Sequence, residues 1–275
     1  MSKPSMLKQR VITASLLAPL ALWGIWALPP QAFAIAIGII FSMAGWEWSR
    51  LCGLERAPGR ALYVAALALA MVGLYPLLAQ GNWSLVILVI ALMWWTLALM
   101  SVLSYPQGTG LWQRSALARG VAGLLVLLPA WAALALLHER FGPGYVILLM
   151  FVVWGADTGA YFAGRAFGRH KLAPRVSPGK TWEGVAGGAV LALLVAWVGT
   201  IWLEPVGGYA AFLVLVLLTV MISILGDLME SLFKRVADLK DSGGLLPGHG
   251  GVMDRIDSMT AAGPFFVLGL LWLSL

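Results

Sequence analysis

Cysteine is almost missing from this chain: Cys52 stands alone, so neither a disulfide framework nor a multi-cysteine metal site can be built, and packing is its expected role. Charge is nearly as scarce. Of 275 residues only 11% are charged, against roughly a quarter in a soluble domain, while 61% are hydrophobic. A chain this poor in charge belongs in lipid. Lipid cannot hydrogen-bond an exposed backbone, so spanning segments are helices or a closed barrel. The apolar runs lack the period-2 alternation of barrel strands, which leaves an all-α, polytopic membrane helical bundle.

A hydrocarbon core of about 30 Å takes about 20 apolar residues to cross. That ruler predicts nine spans, at 11–28, 31–46, 61–80, 83–104, 117–138, 144–164, 184–203, 209–227 and 259–275, the second being the shortest. Lys8-Gln9-Arg10, the apolar stretch after it and Ala32-Phe33-Ala34 resemble a secretory signal with its cleavage site. The apolar core from Val11 is longer than a signal's, however, and hydrophobicity resumes at once through Ile40, as expected of a retained helical hairpin.

Basic loops are retained in the cytoplasm. With the N-terminus inside, nine spans put 17 of the 18 Lys and Arg residues in cytoplasmic segments and leave only Arg140 outside, so span count and orientation support each other. The C-terminus is then expected outside. The net charge of +6 lies in short loops beside a membrane, where it meets anionic lipid headgroups first; membrane lipids, and not nucleic acid, are the expected partners.

Acidic residues number 12, and half of them lie between Asp227 and Asp257. The first five spans have almost nothing ionisable at their centres. Residues 1–140 therefore read as scaffold or lipid groove and residues 141–275 as the catalytic part. Asp157 sits inside an apolar run, which is costly unless it is paired or hydrated; it is either a structural partner for a neighbouring cation or part of a polar cavity. Gly155 and Gly159 form a GxxxG pattern that marks close helix packing.

The loop after that span reads Ser177-Pro-Gly-Lys-Thr-Trp-Glu-Gly184. It is not a Walker A motif, because Pro174 stands where the first glycine is required. Ser177, Lys180 and Thr181, at the start of the next helix, can bind anionic oxygens, or the loop simply anchors the protein by its positive charge. In the last polar segment Asp227, Ser231 and Lys234 recur at i, i+4 and i+7, which shares one helix face if the eighth helix continues past the membrane surface. Asp254 and Asp257, at i and i+3, point the same way on a helix beginning near Val252. Two convergent carboxylates, with Asp227 as third ligand, suit a hard cation such as Mg²⁺ that shares its sphere with phosphate oxygens. The turn Pro247-Gly-His249-Gly250-Gly251 offers N–H groups and an imidazole to phosphate, and Lys234, Arg235, Lys240 and Arg255 surround it with cations.

The order Ser231-x-Phe-Lys-Arg-x4-Lys240-Asp241-x-Gly243-x2-Leu246-Pro247-x-His249-Gly-Gly-Val-x-Asp254-Arg255-Ile-Asp257 closely resembles the signature of CDP-diacylglycerol synthases, the phosphatidate cytidylyltransferases, without a departure in those 27 positions. Asp157-Thr-Gly-Ala-Tyr161 and the Ser177–Gly184 loop also look like that family, whereas the first five spans match only in hydropathy. The resemblance implies the reaction CTP + phosphatidate → CDP-diacylglycerol + diphosphate, dependent on Mg²⁺, at the cytoplasmic face of a bacterial inner (plasma) membrane, and it is compatible with a homodimer. It implies that Asp227, Asp254 and Asp257 hold one cation or a pair, and that Lys234 and His249 lie nearest the chemistry. Ser177, Lys180, Thr181, Ser231, Arg235, Lys240, Asp241, Gly250, Gly251 and Arg255 would bind substrate, with Asp157 and Glu183 supporting them. A CDP-alcohol phosphotransferase expects a longer Asp-rich helix pattern, which Asp254-Arg-Ile-Asp257 lacks. A CTP-dependent lipid-alcohol kinase would use similar cations. A transporter would show paired broken helices, and no such internal symmetry is present.

Overall fold

The computed structural model describes residues 6–239, 241–245 and 250–275. Ten α-helices follow one another among them: α1 (Met6–Ala27), α2 (Pro30–Leu51), α3 (Ala57–Leu78), α4 (Gly81–Leu103), the short α5 (Gly110–Arg114), α6 (Ala116–Phe141), α7 (Pro143–Phe167), α8 (Trp182–Gly199), α9 (Tyr209–Val236) and α10 (Met253–Leu273). Among the described residues eight of these, α2 to α4 and α6 to α10, are long and apolar enough to cross a membrane. The helix α1 coincides with the first expected span.

Two of the expected boundaries move outward for a physical reason. The second span is expected to stop at Trp46, before Glu47, but α2 runs on to Leu51, with Glu47 buried against protein. Helix α9 continues nine residues past Asp227, carrying its polar face beyond the apolar run. Between α7 and α8 the basic loop contains an antiparallel hairpin that an all-helical reading omits: β1 (Lys171–Ala173) pairs with β2 (Ser177–Thr181), Lys171 opposite Thr181 and Ala173 opposite Ser177.

Helix α6 is the central post. From Pro129 to His138 every residue is buried, and α2, α3, α4, α7 and α10 all pack on it. Four alanines in that stretch, at 130, 132, 133 and 135, keep the helix thin, and small residues are what let neighbours approach when no hydrophobic drive separates protein from lipid. Two of its polar side chains bond neighbouring helices: the His138 ring stacks on Phe33 at 4.2 Å and its Nε2 lies 2.9 Å from the Ile25 carbonyl, while Trp131 Nε1 donates to Ala34 O at 2.9 Å. Cys52, capping α2, is buried as well, and burial pushes its thiol up to about 12 against the weaker opposing field of Arg119. It stays a neutral packing group.

Helices α7 and α8 touch backbone to backbone. A Cβ placed on Gly159 would lie 2.5 Å from the Gly187 carbonyl oxygen, so the GxxxG pattern is a packing seam. Gly159→Leu is expected to force the pair apart and cost at least about 1–3 kcal/mol, the range for overpacking a tight interior. Thermal unfolding in detergent should show a clear drop in midpoint; an unchanged midpoint would mean the seam is looser than this.

Candidate active site

Each polar element at this end of the bundle is placed by a local rule. On α9 the residues Asp227, Glu230, Ser231 and Lys234 recur every three to four positions and so share one face. Ser231 Oγ donates to Asp227 Oδ1 at 3.3 Å, and Lys234 Nζ donates to Glu230 Oε2 at 2.6 Å. On α10, which starts at Met253, Asp254 and Asp257 lie one turn apart, as their spacing requires. The β1–β2 hairpin brings in the third component, since β2 ends beside α9 with Lys180 Nζ 2.9 Å from Asp227 Oδ2.

A second ion pair joins α9 to α10. Lys234 Nζ lies 2.9 Å from Asp254 Oδ1, and the Gly251 N–H donates to the other oxygen, Oδ2, at 2.9 Å. Gly250 just before it has φ +82°, a conformation suited to glycine. Asp257, half-buried, accepts from Ser258 N at 2.7 Å and lies within electrostatic reach of Asp227, Glu230 and Asp157. Asp157, accessible on α7, is within reach of Lys180, Asp227 and Arg255. Its surroundings are therefore those of the site. Helices α9 and α10 meet closely here, because a Cβ on Gly226 would collide with the Asp257 carbonyl.

Other sequence-expected residues have different placements. Thr181 is buried and its hydroxyl already accepts from Gly184 N at 3.1 Å, capping α8. Ser177 is half-buried at the hairpin's far rung. Glu183 accepts from the His170 backbone N–H at 3.2 Å and lies 2.6 Å from its Nδ1, closing the neck of the hairpin instead of meeting the aspartates. Arg235, Asp241 and Arg255 are exposed. Lys240 and His249 lie outside the described residues.

Two buried acids were not singled out from sequence. Glu230 is 1% exposed and shares Lys234 with Asp254; its place three residues after Asp227 and four before Lys234 was the available signal. Glu47, also 1% exposed, reaches in from α2, and its Oε2 accepts from Met253 N at 2.8 Å. A lone carboxylate inside an apolar helix was the only hint.

The donor chemistry suits a hard cation. Asp157, Asp227, Glu230, Asp254 and Asp257 face Lys180, Lys234 and Arg255, an all-oxygen set with surplus negative charge. Among the described residues no three such side chains converge on one point at ligand distance; Asp227 and Asp254 each meet a lysine instead. A carboxylate offers about four lone-pair sites, so these contacts leave both with further accepting capacity.

Sequence comparison gives this arrangement a family. The model of the cytidylyltransferase family matches residues 8–273. This chain belongs to the cytidylyltransferase family. Curated relatives match nearly all of it: it is 52% identical over 273 residues to the phosphatidate cytidylyltransferase of Pseudomonas aeruginosa, covering 97% of each chain. It is 40% identical to the phosphatidate cytidylyltransferase of Haemophilus influenzae, covering 95% of this chain and 97% of the relative. With that of Brucella suis it shares 37% over 268 residues, covering 96% and 93%. The first five spans, matched from sequence only by hydropathy, thus belong to this cytidylyltransferase-family chain as much as the motif does, and Glu47 lies within the matched region.

Proposed function

We propose that the chain transfers the cytidylyl group of CTP to phosphatidate, releasing diphosphate and leaving CDP-diacylglycerol in the membrane. The observation that carries this reading is the pair of bridges Lys180–Asp227 and Lys234–Asp254, which draw the hairpin, α9 and α10 into one patch of alternating charge.

The phosphate monoester of phosphatidate is already an anionic nucleophile. One of its oxygens forms a bond to the α-phosphorus of CTP while the bond from that phosphorus to the β-phosphate oxygen breaks, and the electron pair leaves with diphosphate. No strong general base is needed, so positioning and charge neutralisation dominate. Lys180, Lys234, Arg235 and Arg255 hold phosphate oxygens and the charge that grows on the leaving group; Lys240 and His249 belong to the same motif. Asp227, Asp254 and Asp257 would hold Mg²⁺, as one ion or two, which when bound supplies neutralisation of the triphosphate. Asp157 balances Lys180 from α7. The segregation of 17 of 18 basic residues supports a cytoplasmic site in the inner membrane, N-terminus inside, where CTP is available.

Purified protein given phosphatidate micelles, labelled CTP and Mg²⁺ is expected to convert label into lipid and to release diphosphate stoichiometrically. Release of CDP with phosphorylation of an alcohol would instead indicate a lipid kinase. Absence of labelled lipid would remove the reading.

A further inference from the structure

Glu47 has no role in the chemistry above, and it comes from the part of the chain expected to be scaffold. Its carboxylate is buried, and no salt bridge reaches it among the described residues. A buried carboxylate must be satisfied by hydrogen bonds. Its Oε2 accepts from Met253 N at 2.8 Å, the Leu245 and Val252 backbone lies within electrostatic reach, and among the described residues Oε1 has no hydrogen-bond partner. Leu245 precedes the glycine turn, whereas Val252 and Met253 follow it, so chain on both sides of that turn lies against one side chain.

The glycines of the connection fit the same picture. A Cβ on Gly243 would collide with the Glu47 carboxylate, and a Cβ on Gly251 would lie 2.6 Å from Glu47 Oε2 and 2.9 Å from Asp254 Oδ2. Any larger residue at either place would push Glu47 out. Helix α10 also lacks a cap of its own, since Val252 at the N-cap position offers no side-chain acceptor. The Glu47 carboxylate supplies that acceptor from another helix, where the helix dipole favours negative charge.

We propose that Glu47 is a positioning residue of the transfer site: with Gly243 and Gly251 packed against its carboxylate and Met253 bonded to it, it fixes the start of α10, and so sets the direction of Asp254 and Asp257. The proposal rests on the functional reading above, and its test has a readout that does not. Three variants are compared with the parent chain: Glu47→Ala, Glu47→Gln, which keeps an oxygen acceptor, and Glu55→Ala, an exposed control. Glu47→Ala is expected to lower kcat about tenfold or more, the scale of a small misplacement of reacting groups. Glu47→Gln should stay within about threefold of the parent, because its amide oxygen still accepts from Met253. Hydrogen exchange should quicken in Glu47→Ala at the Met253 amide while the buried centre of α6 is unchanged.

Full activity in Glu47→Ala overturns the proposal, as does a Gln variant no better than Ala. Faster exchange throughout the protein, α6 included, also overturns it, by making Glu47 a general stability residue. If the parent chain itself transfers nothing, the functional reading fails, and exchange at the Met253 amide still decides whether Glu47 holds the start of α10.

Discussion

Asp254→Asn and Asp257→Asn are each expected to lower cytidylyl transfer at least about a hundredfold, since even groups one step removed from a bound metal cost ten- to a hundredfold when lost. Size-exclusion profile and unfolding midpoint should stay close to the parent's. Asn keeps the volume of the side chain and one oxygen acceptor, so the start of α10 survives. What is removed is charge. In Asp254→Asn the Lys234 ammonium retains Glu230 at 2.6 Å, and the loss should fall on chemistry. If both variants keep more than about a tenth of parent activity, the aspartates are not cation ligands.

Lys234→Met is expected to have the largest effect on stability. Lys234 is the shared counter-ion of Glu230 and Asp254, and Glu230 is 1% exposed with no hydrogen-bond partner for Oε1 among the described residues. Removing one partner of a buried pair costs about 3–5 kcal/mol, because an uncompensated charge is left behind. Adding Glu230→Gln removes that charge and should recover most of the unfolding midpoint without recovering activity. Lys180→Met gives the contrast. Its pair with Asp227 is more open, at 24% and 31% side-chain exposure, and pairs of that kind contribute about 0–1 kcal/mol. Stability should be nearly untouched while transfer falls. Recovery of activity in the Lys234→Met, Glu230→Gln double variant would show that Lys234 acts only as a structural counter-ion.

The parts of the molecule written in local periodicity were legible in advance. Apolar runs located the helices, and residue spacing showed which polar side chains would share a face if those helices ran past their apolar stretches, as α9 does beyond Asp227 and α10 does ahead of Met259. Contacts made over long sequence distance were not legible. No property of Lys180 or Asp227 alone pairs them across 47 residues, and Glu47 finds its partner only when α2 and α10 pack side by side. The hairpin escaped for a different reason. Its strands are three and five residues long, carry Pro178 and Gly179, and show none of the alternation that announces a strand. Its register is fixed by its neighbours, with Trp182 N donating to His170 O at 2.9 Å and Glu183 gripping His170 at the neck.

The bond from Met253 to Glu47 spans 206 residues, and that number sets an order of events during synthesis. At about 5–20 residues per second, α2 emerges roughly 10–40 s before the segment that supplies its hydrogen-bond donors. Throughout that interval the Glu47 carboxylate is without the backbone donor it accepts from in the finished fold. The site is then completed only when α10 arrives, and a nascent chain arrested before it would hold the earlier helices yet leave Glu47 unseated.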